Sequence, residues 1–202
     1  MRCNCVLYLL SHISDYLLPS LLSCGEMEKN IKIGFVGGMC TGKDTLAQLF
    51  KKINPNFTTY AIATPIKEIA ARYFGVVKKD RLLLQNIGRA LRAINRDIWI
   101  DWTMNKIKVE KCHAVIVTDI RSEREATKLC NAGFELIWLD IPISIRIKRI
   151  MTVYPNSAHT HISGLEDQTE KLAHLKKYCK KIYSETTMLS AYKWVYKYLK
   201  KI

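Results

Sequence analysis

Nine consecutive residues, Gly37-Gly38-Met39-Cys40-Thr41-Gly42-Lys43-Asp44-Thr45, carry the clearest chemistry in the chain. In a G-x-x-x-x-G-K spacing the glycines let the backbone curl until successive N–H groups point inward around phosphate oxygens. The lysine then bridges the β- and γ-phosphates of a nucleotide, and the N-terminus of a following helix adds partial positive charge. Gly38, Met39, Cys40, Thr41, Gly42, Lys43, Asp44 and Thr45 are therefore the expected ATP-binding residues. Asp44 stands where Ser or Thr is usual, so a carboxylate rather than a hydroxyl would face Mg2+. An ordinary glycine-rich turn capped by Asp44 is the competing account. The flanks speak against it, because the motif lies between an apolar run and an amphipathic helix, as a phosphate loop requires.

A phosphate loop needs a supporting acid at the end of a neighbouring parallel strand, where ligands of such sheets bind. Asp119 closes the run AVIVTD and is the second expected metal-supporting carboxylate; capping the next helix is the alternative for it. Arg121 and Glu125 are close enough for a local ion pair that would aim Arg121 at the site as a catalytic cation. Arg146 and Arg149 share a helix face and are expected to close over the transferring phosphoryl group, a solvated basic face beside Lys148 being the other reading. Arg81, Gln85 and Arg92 recur at helical spacing and can converge on one anionic ligand, for which guanidinium forks are suited. One of Trp99 and Trp102 is expected to line a base pocket while the other packs in the core. His159 and His161 have no evident third partner and do not read as metal ligands.

The elements that must hold these residues alternate between strand-like runs and helical periodicity, the pattern of an α/β domain around a mostly parallel sheet. Strands are expected at Lys32–Gly37, Thr58–Ala63, Ala114–Val117 and Phe134–Leu139. Helices are expected at Asp44–Lys52, Pro65–Phe74, Asp80–Ile94, Asp97–Val109, Glu123–Asn131 and Ile143–Ile150, two of them opened by a capping Asp. Thr152–Gly164 reads as loop. The last helix puts Tyr192, Val195, Leu199 and Ile202 on one face and its lysines elsewhere.

At 202 residues, 49% hydrophobic and 25% charged, the chain is sized for one compact domain, and disorder and collagen-like repeats are excluded. Thirty-two Lys and Arg against eighteen Asp and Glu leave +14, which points to anionic partners. Seven scattered Cys with no C-x-x-C pair fit reduced thiols and a cytoplasmic protein. The apolar stretch Cys5–Cys24 is broken by His12, Asp15 and Pro19 before it could span a bilayer, so no membrane association is expected. Residues 1–26 read as a dispensable extension ahead of a domain over 27–202, with a lid region at about 143–165.

Several segments together resemble the deoxynucleoside monophosphate kinases of phages and large DNA viruses, a P-loop kinase family. They are GMCTGKDT at 38–45, ATPIKE at 63–68, RLLLQNIGRALR at 81–92, DIWI at 97–100, TDIRSERE at 118–125 and THIS at 160–163. The resemblance implies a three-layer fold, a five-stranded parallel sheet with helices on both faces. It implies MgATP on the Lys43 loop and a nucleoside monophosphate acceptor near Lys67, Arg81, Gln85 and Trp99, in host cytoplasm if the chain is viral. Phosphoryl transfer to an anionic acceptor needs positioning and charge neutralisation rather than a general base, which fits a chain rich in arginine. A P-loop kinase acting on dephospho-coenzyme A or phosphomevalonate stays open, as does a homodimer. A basic nucleic-acid-binding NTPase is disfavoured, because the basic residues are not interleaved with stacking aromatics except at the tyrosines of the last helix.

Overall fold

The structure, a computed structural model, describes residues 30–76, 80–163, 165 and 171–202. The proposed extension at 1–26 lies outside the described residues. Five strands form one sheet: β1 (Ile31–Val36), β2 (Phe57–Ala61), β3 (Ala114–Thr118), β4 (Glu135–Leu139) and β5 (Lys181–Tyr183), in the order β2-β3-β1-β4-β5. All four pairings are parallel. In β1, Ile33 pairs with Ile116 of β3 and Phe35 with Ile137 of β4, so the strand that leads into the Gly37–Thr45 loop is the central one. Burial on both faces is why β1 and β3 read as continuous apolar runs instead of alternating ones.

The helices are α1 (Lys43–Ile53), α2 (Thr64–Phe74), α3 (Arg81–Ile94), α4 (Ile98–Val109), α5 (Glu123–Asn131), α6 (Ile143–Val153), α7 (Ala158–Ile162) and α8 (Met188–Leu199). Successive strand side chains point to opposite faces, and two cores result. Ile33, Phe35, Ile116 and Ile137 meet Leu46 and Phe50 of α1 and Val195 and Tyr198 of α8. Val36, Val117 and Leu136 meet Ile66 of α2, Ile87 of α3, Trp99 and Ile100 of α4 and Leu129 of α5. The expected three-layer arrangement is therefore present.

Two expectations fail locally, and one strand of the expected five has its place fixed only by the fold. Thr152–Gly164 is not a plain loop: α6 runs on to Val153, and a 3-10 turn (Pro155–Ser157) and the short helix α7 follow. The fifth strand of the expected sheet, β5, has no legible position in the sequence, because three residues following Lys180 carry no periodicity, and it exists by pairing with β4. Asp80 caps α3 by accepting from the Leu83 N–H, whereas Asp97 makes no such bond at α4. The Asp97 carboxylate instead takes a bidentate pair from Arg124 of α5, 2.7 Å on each oxygen, and Lys128 at 2.9 Å. These hydrogen bonds hold its pKa well below the usual carboxylate range. The unfolded chain therefore takes up the proton first as pH falls, and the stability contributed by this group is present above about pH 4 and lost below it. Asp97→Asn is expected to cost about 1–2 kcal/mol at pH 7, the exposed Arg124 side chain limiting the value. In urea melts the gap to the parent should hold above about pH 4 and narrow progressively as pH falls further.

Candidate active site

The sheet's carboxyl edge opens into a cavity of about 1000 Å³ whose floor is the loop between β1 and α1. Gly42 enters α1 at φ 93, a left-handed conformation that glycine adopts without strain. Cys40 is also left-handed, at φ 57, which an L side chain adopts less readily. Thr41 is buried and its hydroxyl donates to the Gly38 carbonyl at 3.0 Å, closing the turn. Lys43 folds back and donates to the carbonyls of Gly37 at 2.8 Å and Gly38 at 2.7 Å. Burial brings its pKa down to about 8, against an opposing pull from Asp119. The loop thus presents an ammonium, a helix N-terminus and backbone donors to one space.

Helix α6 clamps this loop from outside. Arg146, only 2% exposed, donates from Nε to the Met39 carbonyl at 2.9 Å, and its burial lowers the guanidinium's pKa. A Cβ on Gly38 would lie 2.5 Å from Arg146 Nη2, so a glycine there makes room for the guanidinium. Arg149 donates from Nη1 to Cys40 O at 3.2 Å and from Nη2 to Thr186 O at 3.1 Å. The two arginines expected to close over the phosphoryl group here grip the loop's backbone; Arg149 lines the cavity and Arg146 lies behind it.

Asp44, Asp119 and Arg121 all line the cavity. Asp119 does not cap α5. Ser122 does, in a capping box with Glu125, whose side chain also accepts the Arg121 N–H at 2.7 Å. The expected Arg121–Glu125 ion pair is thereby replaced: Arg121 faces Asp119 at 3.7 Å and Glu125 faces Arg92 at 3.9 Å. Opposite the loop, Lys67 of α2 and Gln85, Gly88, Arg89 and Arg92 of α3 form the other wall. Trp99 does not reach it. That ring is 3% exposed in the core, its Nε1–H donating to the Gly88 carbonyl at 3.3 Å. Trp102 is half-buried beside a separate groove that Trp99 also lines. The Arg81 side chain lies outside the described residues. His161 packs against Tyr154 with ring centroids 4.5 Å apart and the rings tilted by 46°, both lining the cavity, whereas His159 is exposed and is not among its lining residues. Among the described residues no cluster of three His, Cys, Asp or Glu could hold a metal ion by itself.

Sequence reasoning missed the third wall, Glu185, Thr186 and Thr187 after β5 and Met188 at the start of α8. Recognition of β5 would have found it, since the loop after every parallel strand emerges at this same edge.

The architecture is similar to several solved structures. TT1252 from Thermus thermophilus superposes with a TM-score of 0.59 at 16% identity, covering 86% of this chain and 97% of that one. A shikimate kinase from Bacteroides thetaiotaomicron gives 0.54 at 15% identity, with 85% and 96% covered. A gluconokinase from Sinorhizobium meliloti gives 0.53 at 14% identity, with 85% and 95% covered. No family model and no curated protein sequence matches the chain. The chain therefore has the fold of the P-loop kinases. Among the described residues no helix is long and apolar enough to cross a membrane.

Proposed function

We propose that this protein is an ATP-dependent kinase that transfers a phosphoryl group to the phosphate of a nucleoside monophosphate. The observation that carries this reading is the charge of the wall facing Lys43. Lys67, Arg89 and Arg92 line that wall and Arg121 stands beside the loop, with Arg92 facing Glu125 and Arg121 facing Asp119, while Asp44, Asp119 and Glu185 are the acids that line the cavity. Four cations are more than a neutral hydroxyl acceptor needs, and they match a phosphate monoester dianion. A cavity at the top of the usual ~300–1,000 Å³ range has room for donor and acceptor side by side.

On this reading the loop amides and Lys43 hold the donor's terminal phosphates, Lys43 leaving the Gly37 and Gly38 carbonyls to do so. Arg146 and Arg149 keep the loop's shape, and Arg92 and Arg89 orient the acceptor phosphate for in-line attack. The Asp44 and Asp119 carboxylates and the Thr45 hydroxyl fit Mg2+, which takes one or two carboxylates and completes its shell with phosphates and water. Bound there, Mg2+ would neutralise charge on the transferring phosphate.

An acceptor screen with MgATP tests the reading: the common mononucleotides, dephospho-coenzyme A, phosphomevalonate, and the acceptors named for the structural neighbours. Turnover confined to unphosphorylated acceptors would refute it. Dephospho-coenzyme A or phosphomevalonate as the sole substrate would move the acceptor to the rival class while keeping the donor site. Arg92→Gln is expected to raise the acceptor KM about 10–100-fold, the worth of one hydrogen bond to a charged group, with the ATP KM unchanged. Steady-state kinetics with each substrate varied in turn check this.

A further inference from the structure

Only one face of α8 is used by the core. Ala191, Val195 and Tyr198 are buried, while Leu189, Lys193, Tyr196, Lys197 and Lys200 are exposed and the exposed Lys201 follows. Three lysines ahead of α8 in the chain are paired: Lys176 faces Asp140, Lys177 faces Glu123, and Lys181 faces Glu135. Lys193, Lys197, Lys200 and Lys201 make no ion pair among the described residues, and no Asp or Glu occurs from 186 to 202. Like charges four residues apart on a helix repel one another, a cost that the negative end of the helix dipole offsets only in part for Lys197 and Lys200. Lys200 is also held in place, its Nζ lying 4.7 Å over the Tyr196 ring.

The row has a spacing. At ~1.5 Å per residue, Lys193 and Lys197 are separated by about 6 Å along the axis, and Lys200 lies about 4.5 Å further on. One strand of a duplex offers a phosphate every ~3.4 Å of its axis, so successive lysines meet every first or second phosphate. An anionic membrane fits less well, because most of the apolar face of α8 is spent on the core and only Leu189 and Tyr196 remain exposed for acyl chains. The last helix is also where basic and aromatic residues interleave, with Tyr196 between Lys193 and Lys197.

We propose that the exposed face of α8 binds the sugar–phosphate backbone of a nucleic acid strand through Lys193, Lys197, Lys200 and Lys201. None of the four lines the Lys43 cavity, so the surface is separate from the candidate active site and does not depend on its assignment.

Fluorescence anisotropy of a labelled 20-nucleotide single strand, titrated with the full chain between 50 and 200 mM KCl, tests this. Four phosphate contacts predict a slope of log affinity against log salt near −2.8, or about 50-fold weaker binding across that range. Lys197→Gln should reduce the slope by about 0.7. The fourfold Lys→Gln variant should lose at least tenfold in affinity at 50 mM KCl while melting at the parent's temperature. A control pair, Lys108→Gln with Lys148→Gln, removes exposed charge elsewhere and should leave the slope of the parent. Three results would each overturn the proposal. The parent shows no binding at 50 mM KCl; the control pair lowers the slope as much as Lys193→Gln with Lys197→Gln; or phosphatidylserine vesicles are bound through these lysines and the oligonucleotide is not.

Discussion

Lys43→Met is expected to lower turnover about 100–1,000-fold, the loss seen when one preorganised charge-stabilising donor is removed from a transition state. It should do so without unfolding the protein. In the structure Lys43 donates to two loop carbonyls, yet its burial costs enough to bring its pKa to about 8. Between about pH 8 and 10.5 the unfolded chain holds a proton at this position that the folded chain has released. The parent must then gain stability from Lys43 as pH rises through that window. The variant lacks the titrating group, so its stability relative to the parent should be highest at pH 7–8 and fall toward pH 10. Urea denaturation at a series of pH values measures this, and a coupled ADP assay measures the turnover. Near-parental turnover in Lys43→Met would remove the donor site from the place proposed for it.

The second large effect is expected at the contact between Gly38 and Arg146. Gly38 has no positive φ, so alanine is acceptable to the backbone there and only space forbids it. A Cβ 2.5 Å from Arg146 Nη2 must push the guanidinium away and strain its bond to the Met39 carbonyl. Arg146→Ala leaves that carbonyl with one donor fewer and opens space beneath the loop. Each single substitution is expected to destabilise by about 1–3 kcal/mol and to weaken ATP binding, since the loop's amides are no longer held in one curl. The two changes act on the same contact, so they should not add. With Arg146→Ala in place the Gly38 methyl has room, and the double variant should be no less stable than Arg146→Ala alone. A coupling of at least 0.5 kcal/mol in a double-mutant cycle of thermal melts is the expected reading. Strict additivity would mean that Arg146 does not shape the loop. Nucleotide titrations of the same four proteins show whether the clamp matters for binding as well as for folding.

Charge elsewhere follows the same logic at smaller scale. Asp97, Arg124 and Lys128 tie α4 to α5, and the same α5 carries the capping box that sets the Asp119–Arg121 turn. Weakening that tie should therefore loosen the second acid of the site before it affects the Lys43 loop.

The sequence alone determined what is contiguous. The Gly37–Thr45 loop, its flanking strand and helix, the acid at the end of β3 and the Asp80 cap are each set by residues a few positions apart, where spacing and backbone chemistry decide the geometry. The central strands were legible for a related reason: burial on both faces leaves an unbroken apolar run. Tertiary structure decided the rest, because the partners are remote. Arg146 and Arg149 meet the loop from more than a hundred residues away, and nothing in their i, i+3 spacing tells a lid from a clamp. Trp99 went to the core because its indole found the Gly88 carbonyl across two helices. Glu125 left Arg121 for a capping box and Arg92, and β5 became a strand only by lying beside β4. Side-chain type states what a residue can bond to; which of several adequate partners it takes is fixed by packing, and packing is a property of the whole chain.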